Sequence, residues 1–357
     1  MPVIVSGPPT SSGPHSLNPP STTTQLAPTV WPTLPAGFSA RGAWYELYFT
    51  DPTTPLAAQK TGGPDGPLAA AIDAAQLSVD IAIYSLSLDS IRDALVGAHD
   101  RGVQVRAVIE SDSMDRIDPQ WLIASGIPML GDRREGLMHN KFVVIDRSEV
   151  WTGSMNFTDS GGYQDYNNLI RIHSTKVAED YGTEFNEMFV DDRFGPDTVA
   201  ATPNPRVTID GTPLDIYFSP DDDVSDSLLD LLNGAQESIY FMAYSFTSDA
   251  LGEAIRQRAT AGVTVAGVMD QSQVLSNQGT EFDAFRQAGL LVRTDGIAGL
   301  MHHKVIIIDS QIVVTGSYNF TASAETRNDE NLIVIYDPAI ASQYLAEFRR
   351  VFGRAEP

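Results

Sequence analysis

An α/β fold built as two like repeats, related by a pseudo-twofold axis and each a mixed β-sheet flanked by helices, is predicted by three observations. Residues 136–170 align without a gap on residues 299–333 at a constant offset of 163, and 18 of those 35 positions are identical. Upstream, AQLSVDIAIYSL (75–86) matches AQESIYFMAYSF (235–246) at an offset of 160. Within each half, strand-like apolar runs alternate with segments whose apolar residues recur at helical spacing, the pattern of an α/β chain.

Taken in chain order, residues 1–43 read as a disordered leader. Up to Arg41 they hold nine prolines and many Ser and Thr, with no Asp, Glu or Lys, a composition that cannot bury a core. The first repeat is expected over 44–200 and the second over 213–357. Their openings match in LYFTDP (47–52) and IYFSPD (216–221), their ends in EFNEMF (184–189) and EFRRVF (347–352). The turn residues of PNPRVTIDGTP (203–213) place a linker at 201–212. Inside each repeat, SVDIAIY and VQVRAVIE read as strands, and residues 89–101 and 249–261 as helices behind an Asp N-cap. FVVID (142–146) and VIIID (305–309) are short continuous apolar runs that suit central strands buried on both faces.

Composition narrows the function. The 357 residues are 42% hydrophobic and carry a net charge of -23, so the outer field repels polyanions and weighs against nucleic acid. A local basic pocket remains compatible with that envelope, because surface charges are screened beyond about 8 Å at physiological salt. The absence of cysteine excludes disulfides, thiolate nucleophiles and Cys-ligated zinc. No apolar stretch is long enough to span a bilayer. The start, MPVIVSGPP, lacks the basic region and long apolar core of an export signal, yet a neutral Pro/Thr-rich stalk suits an exported protein. Export is the expectation and a cytoplasmic location the alternative.

The chemistry-bearing residues are MHNKFVVID (138–146) followed by TGSMNF (152–157), and MHHKVIIID (301–309) followed by TGSYNF (315–320). On an extended segment His139 and Lys141 share a face, as do His302 and Lys304. Each following strand ends in Gly-Ser-x-Asn, which delivers Ser154 and Asn156, or Ser317 and Asn319, at a strand end. Two lysines, two asparagines and two serines form a cradle for phosphate oxygens, able to stabilise charge on pentacoordinate phosphorus. One such motif is weak support; two at identical spacing, in the best-matched part of the repeat, point to function. With no Cys and no carboxylate at ligand spacing, the His302-His303 pair does not suggest a metal. By alternation His303 faces away from His302.

His139-x-Lys141-x4-Asp146 and His302-x-Lys304-x4-Asp309, each followed by Gly-Ser-x-Asn, resemble the paired signature of the phospholipase D superfamily over nearly everything after about Trp44. The resemblance implies that one histidine attacks phosphorus to give a phosphohistidine while the other protonates the leaving alcohol, without metal or cofactor. By the usual order His139 is the nucleophile and His302 the acid. Lys141, Lys304, Asn156 and Asn319 hold the phosphate, with Ser154 and Ser317 as second-tier donors. Asp146 and Asp309, at the opposite parity, brace the hairpin. Downstream, the second half has Glu330-Asn331 where the first has Asn167-Asn168. If each contacts the histidine of its own half, Glu330 favours the imidazolium of His302 and makes it the better acid, while Asn167 leaves His139 neutral. Asp165 is a substitute partner for His139.

Acidity, expected export and the aromatics Tyr84, Tyr244, Trp151 and Tyr318 near the motifs favour a phospholipid substrate, hydrolysed or transferred to another alcohol, with transient membrane-surface contact. The rival is a nuclease, which needs Arg106, Arg133, Arg134 and Arg327 to converge on a groove; a catalytically inactive binding homologue is the third reading. Both half-sites lie on one chain, so a monomer without an obligate protein partner suffices. The loops 111–119 and 271–280 are expected to border the cleft.

Overall fold

The computed structural model describes residues 34–356. The first half supplies β1 (Gly37–Arg41), β2 (Tyr45–Thr50), β3 (Ser78–Ile83), β4 (Gln104–Ile109), β5 (Met129–Gly131), β6 (Lys141–Ile145), β7 (Glu149–Gly153) and β8 (Asn168–His173). The second supplies β9 (Arg206–Ile209), β10 (Thr212–Ser219), β11 (Ser238–Ala243), β12 (Thr264–Met269), β13 (Leu291–Thr294), β14 (Lys304–Ile308), β15 (Ile312–Gly316) and β16 (Glu330–Tyr336). The two eight-stranded sheets have equivalent orders, β1-β2-β8-β7-β6-β3-β4-β5 and β9-β10-β16-β15-β14-β11-β12-β13. Both are mixed: β3, β4 and β5 run parallel, as do β11, β12 and β13, and the other pairings are antiparallel.

One core is shared between the halves. The long helices Thr175–Phe189 and Pro338–Phe352 bury Tyr181, Phe185, Tyr344 and Phe348 together with Phe142 and Val144 of β6 and Val305 and Ile307 of β14. Two further clusters cover the outer sheet faces beneath the remaining helices. β6 and β14 are therefore buried on both faces, as their unbroken apolar runs predict.

Two boundaries differ from the sequence reading. Of the leader, residues 1–33 lie outside the described ones, but 37–41 form β1 and pair with β2. The supposed linker forms β9, because Asp210 and Gly211, both at positive φ, make the tight turn that folds β9 onto β10. The helix over 249–260 is capped by the Ser248 side chain, and Asp249 sits in its first turn; Asp89 likewise lies inside its helix.

Asp146 and Asp309 occupy the turns β6–β7 and β14–β15, each at positive φ with a positive-φ successor. Their carboxylates reach the entry of the neighbouring strand rather than the hairpin itself. Asp146 accepts from the amides of Gln76, Leu77 and Ser78, and Asp309 from those of Gln236, Glu237 and Ser238. Asp309→Ala is expected to lower unfolding stability by about 1–3 kcal/mol through the freed amide donors, measured by urea denaturation, with Asp146→Ala matching it.

Candidate active site

The motif segments meet because each leaves its own sheet and runs against the opposite half. His139 N donates to Asp329 O (3.0 Å) and Asp329 N to Leu137 O (2.9 Å); the mirrored bonds run from His302 N to Tyr166 O (2.9 Å) and from Tyr166 N to Leu300 O (2.8 Å). Glu110 Oε2 accepts from Met138 N at 2.9 Å and Asp270 Oδ2 from Met301 N at 3.0 Å, which pins both segments. The glycines that end β7 and β15 are required here. At φ 151° and 150°, Gly153 and Gly316 lie so close to the carbonyls of Asn168 and Asn331 that a Cβ would collide with them.

The histidine partners are exchanged between halves, which corrects the own-half pairing read from the sequence. His139 Nδ1 lies 2.7 Å from Glu330 Oε2, and His302 Nδ1 lies 2.9 Å from Asn167 Oδ1. The expectation assumed that residues near in sequence act on the same site, whereas the segments crossing the seam place each partner beside the other half's motif. Asn167 Oδ1 also accepts from Ser154 Oγ (2.8 Å) while its Nδ2 donates to Gly161 O (3.0 Å). Its oxygen is thus aimed at His302, whose Nδ1 must carry the hydrogen and whose Nε2 keeps a lone pair. Asp165 is no partner of His139, because its carboxylate accepts from Leu300 N at 2.9 Å beside the other histidine.

Lys141 and Lys304 are buried, and each donates to the carbonyl of the histidine two residues before it, at 2.7 and 2.9 Å. That bond uses one of three ammonium hydrogens and leaves the rest for an anion. Tyr84 and Tyr244, whose rings stand edge-on to His139 and His302 at 5.1 and 4.7 Å, also lie beneath the two ammonium groups at 5.2 and 4.6 Å. They are walls of the site. Trp151 and Tyr318 are core residues instead, Trp151 stacked on Tyr48 and Tyr318 bonded to Glu325.

At the ends of the Gly-Ser-x-Asn segments, Asn156 and Asn319 each have a buried Oδ1 without a hydrogen-bond partner; that oxygen only accepts, so only the Nδ2 groups could donate to a phosphoryl oxygen. The serines do something else, and the expectation that they donate to phosphate is corrected. Ser154 Oγ donates to Asn167 and accepts from Asn168 N; Ser317 Oγ accepts from Asn331 N, and both are fully buried. Their hydroxyls hold the residues behind the histidines.

Sequence reasoning passed over a second crossed layer. His303, fully buried, lies 3.1 Å from both Glu347 Oε1 and Asn168 Nδ2 through its two ring nitrogens, while Asn140, its equivalent, accepts from Asn331 Nδ2 at 2.8 Å. Thr152 donates to Asn331 and Thr315 to Asn168. The signal was present in the alignment of Asn140 with His303, but residues facing away from the motif carry no mark of what they meet.

Burial sets the electrostatics. It pushes Lys141 down to about 7 and Lys304 well below the usual lysine range. Burial, and then the two lysines, hold both histidines well below their ordinary value, and burial raises Glu330 to about 8. The site is short of negative charge and favours neutral forms until a phosphodiester anion enters and draws protons onto the lysines.

Of the four arginines a nucleic-acid groove would need, three lie at the seam and one does not. Arg106 is bonded to Asp80 and lies over Phe185, whereas Arg133, Arg134 and Arg327 at the seam are matched by Asp192, Asp197 and Glu135.

A twofold-repeated α/β scaffold with a His/Lys pair from each half facing one seam defines a class of protein, and comparison with known proteins agrees. The family described as "Cardiolipin synthase, PLD-like domain" matches residues 68–189 and 228–352. The chain belongs to this phospholipase D-like family and is a phosphodiesterase of that type. A phospholipase D of Rickettsia bellii is 33% identical over 172 residues, covering 46% of this chain and 81% of that one. A mitochondrial cardiolipin hydrolase of Chlamydomonas reinhardtii is 35% identical over 124 residues, which are 35% of this chain and 55% of the relative. The crystal structure of a phosphatidylserine synthase of Haemophilus influenzae shares the fold over 84% of this chain and 85% of its own, with a TM-score of 0.64 at 14% identity.

Proposed function

We propose that the chain cleaves the head-group phosphodiester of phospholipids through a covalent phosphohistidine on His139. With Nδ1–H held by Glu330, His139 Nε2 forms the N–P bond as the P–O bond to the head-group alcohol breaks. His302, protonated on Nε2 once the phosphodiester anion is bound, gives that Nε2 proton to the departing oxygen. Water, deprotonated by His302, then attacks phosphorus, the P–N bond breaks and phosphatidate leaves. Lys141, Lys304, Asn156 and Asn319 hold the phosphoryl oxygens throughout. The roles keep the order expected from the sequence for a different reason. A phosphorylated imidazole is cationic, and the carboxylate 2.7 Å from Nδ1 offsets that charge on His139. The neutral Asn167 amide holds the Nδ1 hydrogen of His302 but offers no charge to stabilise the imidazolium, so the Nε2 proton passes on readily.

The observation that carries the lipid reading is the rim. Two short helices, Ile117–Ala124 and Gln271–Ser276, stand over the site, tied to it by bonds from Arg116 to Ser85, Gln273 to Tyr244 and Asn277 to Ser245. They project Ile117 at 77%, Trp121 at 54% and Leu275 at 80% exposure, apolar groups on the elements that border the site. Among the described residues no helix is long and apolar enough to cross a membrane.

The test is incubation in EDTA with phosphatidylcholine or phosphatidylglycerol vesicles and, separately, single-stranded DNA, with His139→Ala as the blank. Lipid cleavage lost in the variant supports the reading; cleavage of DNA alone overturns it. Serine at Ile117, Trp121 and Leu275 together is expected to cut vesicle hydrolysis by at least about tenfold through lost apolar contact, leaving bis(4-nitrophenyl) phosphate hydrolysis unchanged.

A further inference from the structure

Behind each histidine and its partner, the next residue of both segments forms a second rung across the seam. His139 meets Glu330, and Asn140 Oδ1 accepts from Asn331 Nδ2 at 2.8 Å. His302 meets Asn167, and His303 Nδ1 lies 3.1 Å from Asn168 Nδ2. Both rungs end on a glutamate of a long helix: Asn140 Nδ2 donates to Glu184 Oε1 at 3.3 Å, and His303 Nε2 lies 3.1 Å from Glu347 Oε1. Donor directions follow from the outer bonds. Asn168 Oδ1 accepts from Thr315 Oγ1 at 2.9 Å, so its Nδ2 donates to His303 Nδ1, and the His303 hydrogen sits on Nε2 facing Glu347. Thr152 fixes Asn331 in the same way at 2.7 Å. The members of both rungs are buried, so each amide has one orientation in which it is paired.

We propose that His303 and Glu347 are positioning residues for His302, setting Asn167 against its Nδ1 and so governing protonation of the leaving alcohol, while Asn140 and Glu184 serve His139 through Glu330. The inference rests on the roles proposed for the two histidines. Two paths join the His303 rung to Asn167. Asn168 N donates to Ser154 Oγ at 3.1 Å, and that hydroxyl donates to Asn167 Oδ1 at 2.8 Å. From the other end, Arg350 bonds both Glu347 Oε1 (2.5 Å) and Thr50 O (2.9 Å), and Thr50 Oγ1 accepts from Asn167 N at 2.7 Å. The offset of 163 carries Glu347 onto Glu184 but Arg350 onto Glu187, so the arginine anchor belongs to the His302 side alone. Each rung joins the segments that carry one histidine and its own partner, so loss of a rung acts on one histidine. A displacement too small to disturb packing still slows a step that needs the acid within hydrogen-bond reach of the departing oxygen.

The test measures first-turnover rates on phosphatidylcholine vesicles and on bis(4-nitrophenyl) phosphate for the wild-type chain, His303→Leu, Asn140→Leu and His302→Ala. The readout is the ratio of the lipid rate to the chromogenic rate, which a misfolded fraction of the protein does not alter. His303→Leu should lower that ratio by about tenfold or more, because only the alkoxide leaving the lipid needs a proton. Asn140→Leu should slow both substrates by a similar factor and keep the ratio within about twofold of the wild type. His303→Asn, which supplies the donor and acceptor that Asn140 uses in the first half, should recover most of the ratio. If a leucine variant does not fold, His303→Ser or Asn140→Ser, too short to span the rung, replaces it with the same expectation. A ratio that falls in His302→Ala but falls alike in the His303 and Asn140 variants, or in neither, overturns the positioning role alone. A ratio unchanged in His302→Ala overturns the acid assignment and the inference with it.

Discussion

His139→Ala is expected to lose activity on every phosphodiester by roughly 10⁴-fold or more, whereas the loss in His302→Ala depends on the alcohol that leaves. Removing the nucleophile removes the only covalent route, whatever the leaving group. Removing the acid matters when an alkoxide must be protonated as it departs, which costs about 10²–10⁴-fold on a phospholipid. 4-Nitrophenolate departs without a proton, so His302→Ala should phosphorylate itself with bis(4-nitrophenyl) phosphate at close to the wild-type rate. Turnover then stalls, because the same imidazole activates water in the second step. First-turnover rates on chromogenic and lipid substrates, compared between the two variants, check this; a first-turnover loss on the chromogenic diester as large as that on lipid in His302→Ala would remove it from the acid role.

Glu330→Gln is expected to lower kcat by roughly 10²–10⁴-fold and to change the shape of the pH profile. His139 Nε2 is nucleophilic only while Nδ1 keeps its hydrogen, which requires Glu330 to be ionised. Burial pushes that carboxyl up to about 8, so in the free enzyme its competent form is lost as pH falls. Wild-type kcat/KM should therefore fall toward acid pH. Glutamine cannot titrate, and the variant should lose that acid limb. Lys141, pushed down to about 7 by burial, loses its charge on the other side, so the alkaline limb should persist in both proteins. A variant whose acid limb stays unchanged would show that Glu330 does not govern His139.

The sequence made the duplication, the strand character of β6 and β14 and the paired motifs legible, since an ungapped repeat with matching apolar runs leaves little choice of architecture. Its silence concerned what crosses the seam. Glu330 and Asn167 stand at equivalent positions, and nothing in their spacing says that each serves the opposite histidine. The serines looked like phosphate donors because hydroxyls beside a motif are plausible ligands; only their full burial against Asn167, Asn168 and Asn331 shows another use. Tyr84 and Tyr244 lay among aromatics that are more often core, and Trp151 and Tyr318, from the same set, are core. Asp210-Gly211 was read as a linker turn although it closes a hairpin, because one turn signal serves both.

The most direct test of the central claim is a rapid-quench experiment on His302→Ala with bis(4-nitrophenyl) phosphate, followed by peptide mapping of the quenched protein. The account predicts a burst of about one 4-nitrophenolate per chain and an acid-labile phosphoryl group on the peptide containing His139, with no burst in His139→Ala. A burst in His139→Ala with the phosphoryl group on His302 would reverse the roles, and no burst in either variant would contradict a covalent intermediate.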